Sequence, residues 1–78
     1  MSILGGKFMS ELKCFKELYN HNLARYYKGC NYLIEHPEQT EKWFNLLQSI
    51  LEDMNIYLEE IAKEQELNDD EVLNGFKL

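Results

Sequence analysis

The chain has 78 residues, 14 acidic against 8 basic side chains, and a formal net charge of −6. This length allows one domain, and a monomer of this size buries only about 60% of the surface that its unfolded chain exposes. Two cysteines without a secretion signal exclude a disulfide-stapled secreted scaffold, and the lack of a run near ~20 apolar residues excludes a membrane span. We therefore expect a cytoplasmic protein with reduced thiols.

The charge is divided unevenly along the sequence. Residues 1–36 carry five Lys or Arg and three Glu, a net +2, whereas residues 37–78 carry three Lys and eleven Asp or Glu, a net −8. Opposite charges favour packing of the two halves side by side, and the lack of a basic face argues against direct binding of nucleic acid.

The first predicted element is a helix over about 8–35, preceded by residues 1–7, which we expect to be frayed. Its apolar residues recur at spacings of three and four, the period of a helix. They are Phe8, Leu12, Phe15, Tyr19, Leu23, Tyr26, Cys30 and Leu33. Asn20-His21-Asn22 and Gly29 have low helix propensity, so the helix can bend at either point.

The only proline, Pro37, divides the chain, because proline suits a first helical position and disfavours helical geometry at the preceding His36. A second helix is predicted from Pro37 to about Glu66, with an apolar stripe roughly 160° wide. The sequence thus predicts an all-α antiparallel hairpin of helices at about 8–35 and 37–66, in a single domain over 1–78.

A short third helix is predicted over about 69–74. Asn68 is a favourable N-cap before an acidic first turn, and Gly75 is a favourable C-cap. We expect the apolar side chains of this region, Val72, Leu73 and Phe76, to fold it back over the end of the hairpin.

The apolar surface is larger than two helices can bury, because one neighbour covers only part of the second helix's stripe. The first helix carries a second stripe about 90° from its main apolar face. Self-association into a four-helix bundle would cover both, so we expect a homodimer. The predicted interface, with a second copy or with an unidentified protein partner, comprises Cys14, Leu18, Arg25, Gly29, Tyr32, Trp43, Leu46, Ile50 and Tyr57.

Two members of this interface each allow two interpretations. Gly29 is either a point of close helix approach, which we favour, or a tolerated flaw on the surface. Trp43 is interpreted as an end plug of the bundle, with ligand binding as the alternative.

The sequence indicates no catalytic chemistry. The two cysteines and two histidines do not have a metal-ligand spacing, and glycine-rich phosphate loops and protease motifs are missing. Two basic residues flank two tyrosines in Arg25-Tyr26-Tyr27-Lys28, a mixture found in sites for single-stranded nucleic acid, but both tyrosines fall on the predicted core face. We predict no enzyme activity, catalytic residue, cofactor or metal.

The resulting hypothesis is a non-enzymatic protein–protein interaction module, or a small accessory or regulatory protein. Its size, acidity and Lys-, Asn- and Ile-rich composition are typical of proteins from bacterial phages or other mobile elements. The alternative is an acidic inhibitor that mimics DNA and binds a nucleic-acid-handling protein through Glu59, Glu60, Glu64 and Glu66.

Overall fold

The computed structural model describes residues 2–78, with side chains from Glu11 onward. It contains three α-helices, α1 (Ser2–Glu35), α2 (Thr40–Ala62) and α3 (Asp69–Asn74), and a 3₁₀ turn at Pro37–Gln39. No strand occurs within residues 2–78. The predicted all-α fold, a long helix pair with a short third helix, is confirmed.

Helix α1 begins at Ser2, six residues before the predicted start near residue 8. Gly5 and Gly6 do not end it, because a glycine lowers helix stability by only about 1 kcal/mol and a long helix tolerates that cost. The helix is likewise continuous through Asn20-His21-Asn22 and Gly29. Met1 lies outside the described residues, and the fraying expected of residues 1–7 stays a prediction.

The interhelical turn forms where Pro37 predicted it. His36 leaves helical geometry (φ −131°, ψ 65°), and Pro37 starts a 3₁₀ turn rather than α2 itself. The Thr40 hydroxyl donates a hydrogen bond to the Pro37 carbonyl at 2.8 Å, which caps this turn. The α-helical pattern therefore begins three residues later than predicted.

Helix α2 ends at Ala62, four residues before the predicted end at Glu66. The amides of Glu64 and Gln65 both donate to the Ile61 carbonyl, at 3.0 and 3.1 Å, and the chain then leaves the helix. This exit allows Leu67 to pack against the core, which a continued helix would not.

The core lies along the contact between α1 and α2 and extends to the C-terminal residues. Its buried apolar side chains are Tyr19, Leu23, Ile50, Met54, Ile61 and Phe76. Eight half-buried apolar side chains pack against it: Leu12, Phe15, Tyr26, Leu47, Leu51, Tyr57, Leu58 and Leu67. None of the described helices is both long and apolar enough to cross a membrane.

Helix α3 has the predicted bounds and caps. The Asn68 side chain accepts hydrogen bonds from the amides of Asp70 and Glu71 at 2.9 and 3.2 Å. Gly75 adopts φ +100°, a conformation that favours glycine. The position of α3 differs from the prediction. The helix and the residues after it contact the middle of α1 and do not cover the end of the hairpin.

Candidate functional site

A groove of about 500 Å³ lies between α1 and α2 on the side nearest the interhelical turn. It is lined by Arg25, Lys28, Gly29, Tyr32, Trp43, Leu46, Leu47 and Ile50, and we refer to these residues as the groove. Six of the nine predicted interface residues are among them. The structure therefore brings together most of the predicted interface.

The groove follows from the helix period on both sides. Arg25, Gly29 and Tyr32 succeed one another along α1 at spacings of four and three, and α2 presents Trp43, Leu46 and Ile50 at three and four. Two antiparallel helices with these stripes place them side by side.

Gly29 is a point of close approach, but within the chain. A Cβ atom at this position would lie 2.7 Å from Cδ2 of Leu47 on α2. The absent side chain thus allows α1 to pack against α2 at this level. A role for Gly29 in contact with another copy stays a prediction.

Aromatic side chains close the end of the groove nearest the turn. The rings of Tyr32 and Trp43 pack edge to face, with centroids 6.0 Å apart, and Tyr32 also lies 4.6 Å from the His36 ring. The indole Nε1 of Trp43 is buried and has no hydrogen-bond partner. Trp43 therefore lies near the turn, and both its interpretation as an end plug of the bundle and its alternative role as a ligand contact stay predictions.

The groove is apolar and accessible, with cations at its edge. Tyr32 and Leu46 remain 42% and 41% exposed, less than Ile34, Phe44 and Ile56 at 77%, 59% and 54%, but they line one shared groove. Arg25 and Lys28 are also exposed and carry positive charge. This combination is typical of a surface that binds another protein and not of a small enclosed pocket.

The other three predicted interface residues lie farther along the hairpin. Leu18 is seven residues before Arg25, and Tyr57 is seven after Ile50, so each continues its stripe by two helical turns. Cys14 is one further turn along α1 and is exposed. Tyr57 is half-buried, with its ring 6.3 Å from that of Phe15. The nine residues thus share a side of the hairpin without forming one cavity.

The C-terminal segment attaches to a different face of α1. The hydroxyl of Tyr19 donates to the Val72 carbonyl at 2.6 Å, and that of Tyr27 donates to the Leu73 carbonyl at 2.7 Å. Asn20 donates through Nδ2 to the Phe76 carbonyl at 2.8 Å, and its Oδ1 accepts from the Phe76 amide at 2.7 Å. We call Tyr19, Asn20 and Tyr27 the clasp.

Sequence reasoning missed the clasp. The helix period predicts Tyr19 in the core, where it is indeed buried, and Asn20 drew notice only for its low helix propensity. Tyr27 is predicted on the core face, yet it is 43% exposed and bonded to α3. The available signal was a polar side chain beside a core tyrosine, a pairing that is common on ordinary amphipathic helices.

Two tyrosine hydroxyls have perturbed ionisation. Burial raises the pKa of Tyr19 above its ordinary value, and the neighbouring Tyr27 adds a smaller effect. A hydrogen bond with Cys30 raises the pKa of Tyr26, with a further contribution from burial. Both effects keep a phenol protonated, which accords with structural roles.

The acidic residues of the alternative hypothesis do not share one helix. Glu59 and Glu60 belong to α2, whereas Glu64 and Glu66 follow its end. Glu60 accepts a hydrogen bond from Lys63 Nζ at 3.1 Å, so part of its charge is compensated. Phosphate mimicry by this set stays a prediction.

The described residues contain no cluster of three His, Cys, Asp or Glu side chains that could hold a metal ion. No protein-family model, curated protein or solved structure matches the chain. Function is therefore inferred from the groove, the clasp and the charge distribution.

Proposed function

We propose that this protein is a non-enzymatic interaction module that binds a second copy of itself through the groove, so that two hairpins form a four-helix bundle. The observation that supports the proposal is that one face of the hairpin is covered by the chain itself and another is not. The clasp holds the C-terminal segment against one face of α1, whereas the groove leaves Tyr32 and Leu46 accessible on another.

Charge supports a second copy as the occupant. The α1 edge of the groove carries Arg25 and Lys28, while α2 (Thr40–Ala62) carries five acidic residues and one lysine, a net charge of −4. A two-fold axis that runs along the groove, parallel to the helices, places α1 of one copy across α2 of the other. The cationic edge then meets the acidic α2 twice, which favours this arrangement.

The available area also fits a modest dimer. Residues 14–32 of α1 extend over about 27 Å at 1.5 Å per residue, and the second-largest extent of the molecule is 21 Å. Their product is about 570 Å² per copy, or about 1,100 Å² in total, which is near the lower limit for specific interfaces. We expect association that depends visibly on protein concentration.

The test is light scattering behind a sizing column at several concentrations, comparing the wild type with Leu46→Glu. The variant should be monomeric where the wild type is dimeric, because the dimer would lose the apolar contact of Leu46 and would have to desolvate a carboxylate at this position. Ile56→Glu is the matched control, because Ile56 is 54% exposed on the same helix. It lies about 200° around the helix from the buried Met54 and faces away from α1.

The two variants separate the possible outcomes. A wild type that remains monomeric at every concentration would overturn the homodimer. If both variants weakened dimerisation equally, the interface would lie elsewhere, since only Leu46 of these two residues lines the groove.

A further inference from the structure

The clasp recognises the backbone of the C-terminal segment. Each of its four hydrogen bonds joins a side chain of α1 to a main-chain atom of residue 72, 73 or 76. Asn20 satisfies both the amide and the carbonyl of Phe76, as a neighbouring strand would. Such recognition is the general way in which peptides are bound with little dependence on their side chains.

One side chain of the segment supplies an anchor. Phe76 is buried, and its ring packs edge to face against Tyr19 with centroids 5.4 Å apart. Lys16 Nζ lies 5.8 Å from the same ring, within the range of a cation–π contact. The remainder of the segment is largely exposed, including Leu73 at 58%.

The segment is also connected by a separable joint. Residues 66–68 have no regular structure, and residues 63–65 form a turn and a bend. Six residues in extended form reach about 20 Å. Opening this joint would withdraw Leu67 and Phe76 from the core and leave α1 and α2 paired through Leu23, Ile50, Met54 and Ile61.

We infer that the clasp is a peptide-binding site that its own C-terminal segment, residues 67–78, occupies reversibly, and that two copies of the chain exchange this segment. A second copy is the fitting occupant because it carries the same anchor, Phe76, and the same Gly75. Gly75 has φ +100°, and a Cβ there would approach Asn20 Oδ1 to 3.0 Å, so the clasp requires glycine before the anchor. Exchange of identical elements creates no new contact and needs only the opened joint.

This exchange is independent of the groove. It uses a different face of α1, so Leu46→Glu should leave it unchanged. Loss of the groove dimer and loss of segment exchange are therefore distinguishable results.

The experiment mixes two full-length variants, each with one defective half of the contact. Asn20→Ala, labelled with ¹⁵N, has an intact segment and a defective clasp, whereas unlabelled Phe76→Ala has an intact clasp and a defective segment. In a mixed dimer the labelled Phe76 amide regains an Asn20 acceptor from the other copy. We expect its hydrogen exchange to slow about tenfold or more on mixing, the effect of one restored hydrogen bond.

Controls make the outcome decisive. An unlabelled Asn20→Ala/Phe76→Ala double variant offers no intact clasp and should give no slowing. Protected amides of Ile50 and Met54, measured on a separate ¹⁵N-labelled sample of each variant, establish that the variant is folded, and Gly75→Val replaces Phe76→Ala if the latter is not. Unchanged exchange at Phe76 in the presence of excess folded partner would overturn the inference.

The wild type gives a second test. Reversible opening predicts that the Phe76 amide exchanges faster than the amides of Ile50 and Met54, because it opens without unfolding of the hairpin. Equal protection at all three positions would also overturn the inference.

Discussion

Replacement of Asn20 by alanine tests whether the clasp stabilises the folded protein. The substitution removes two hydrogen bonds to Phe76, of 2.7 and 2.8 Å, and leaves a partly buried amide and carbonyl without these partners. A typical protein hydrogen bond contributes about 0.5–1.5 kcal/mol, so the two together give about 1–3 kcal/mol. The decrease in the free energy of unfolding cannot exceed the total contribution of the clasp, because the remaining clasp contacts are already broken once the segment has detached.

Alanine also changes helix propensity, and a neighbouring position corrects for it. Alanine is the better helix former by several tenths of a kcal/mol at a position such as 20. His21→Ala is the matched control, since His21 is exposed on the same helix and its replacement gives a similar gain. The difference between the two variants therefore isolates the clasp, and Asn20→Ala should be less stable than His21→Ala by about 1–3 kcal/mol.

Urea unfolding monitored by circular dichroism measures this difference. The midpoint should fall with little change in slope, because the surface exposed on unfolding hardly changes. In thermal unfolding, the same difference corresponds to roughly 5–20 °C for a domain of this size. Equal stability of the two variants would refute an energetic role for the Asn20 contacts and would remove the basis for backbone recognition.

Three further predictions concern the core, the helix contact and pH. Ile61→Ala should lower the free energy of unfolding by about 2–5 kcal/mol, whereas Ile34→Ala, at a position 77% exposed, should stay within about 0.5 kcal/mol; comparable losses in urea unfolding would contradict this core. Gly29→Ala should leave the free energy of unfolding nearly unchanged, because a gain of about 1 kcal/mol in helix propensity offsets the cost of displacing the flexible Leu47 methyl. Gly29→Ile should lower the free energy of unfolding in the same assay, because its larger side chain overpacks the contact with Leu47. The pKa of Tyr19 is raised in the folded protein above the unfolded value of 10.0. Its contribution to folding stability is therefore complete below the unfolded pKa and is lost as pH rises through the folded pKa, because between these two values the unfolded chain binds fewer protons than the folded chain. Urea midpoints measured up to and above pH 10 should fall less steeply for Tyr19→Phe, and equal slopes would refute the contribution.

Local signals in the sequence were sufficient for most of the fold. The apolar period predicted both long helices, Pro37 marked the turn, and Asn68 and Gly75 marked the ends of α3, because each of these signals acts through the nearest few residues. The end of α2 was misplaced since it depends on Leu67 reaching the core, which is a tertiary effect. Tertiary packing commonly overrides intrinsic helix preference in this way.

The candidate site was predictable in part for the same reason. Six groove residues follow from two helical stripes placed side by side, which the antiparallel hairpin requires. The clasp was not predictable, because its acceptors are carbonyls that every residue possesses. Gly29 was predictable only in part. The sequence indicated a close helix contact at this position, but not that Leu47 of the same chain makes the contact.

The main-chain character of the clasp has a consequence for how the sequence can diverge. Substitutions at Val72 or Leu73 leave the carbonyl acceptors in place, whereas Asn20 supplies side-chain atoms to the clasp and Gly75 supplies a backbone conformation that other residues rarely adopt. We therefore expect descendants of this chain to conserve a few residues in α1 and near Phe76, while the sequence of α3 between them diverges. Relatives would then be recognised more readily by asparagine at position 20 and glycine at position 75 than by the similarity of their C-terminal helices.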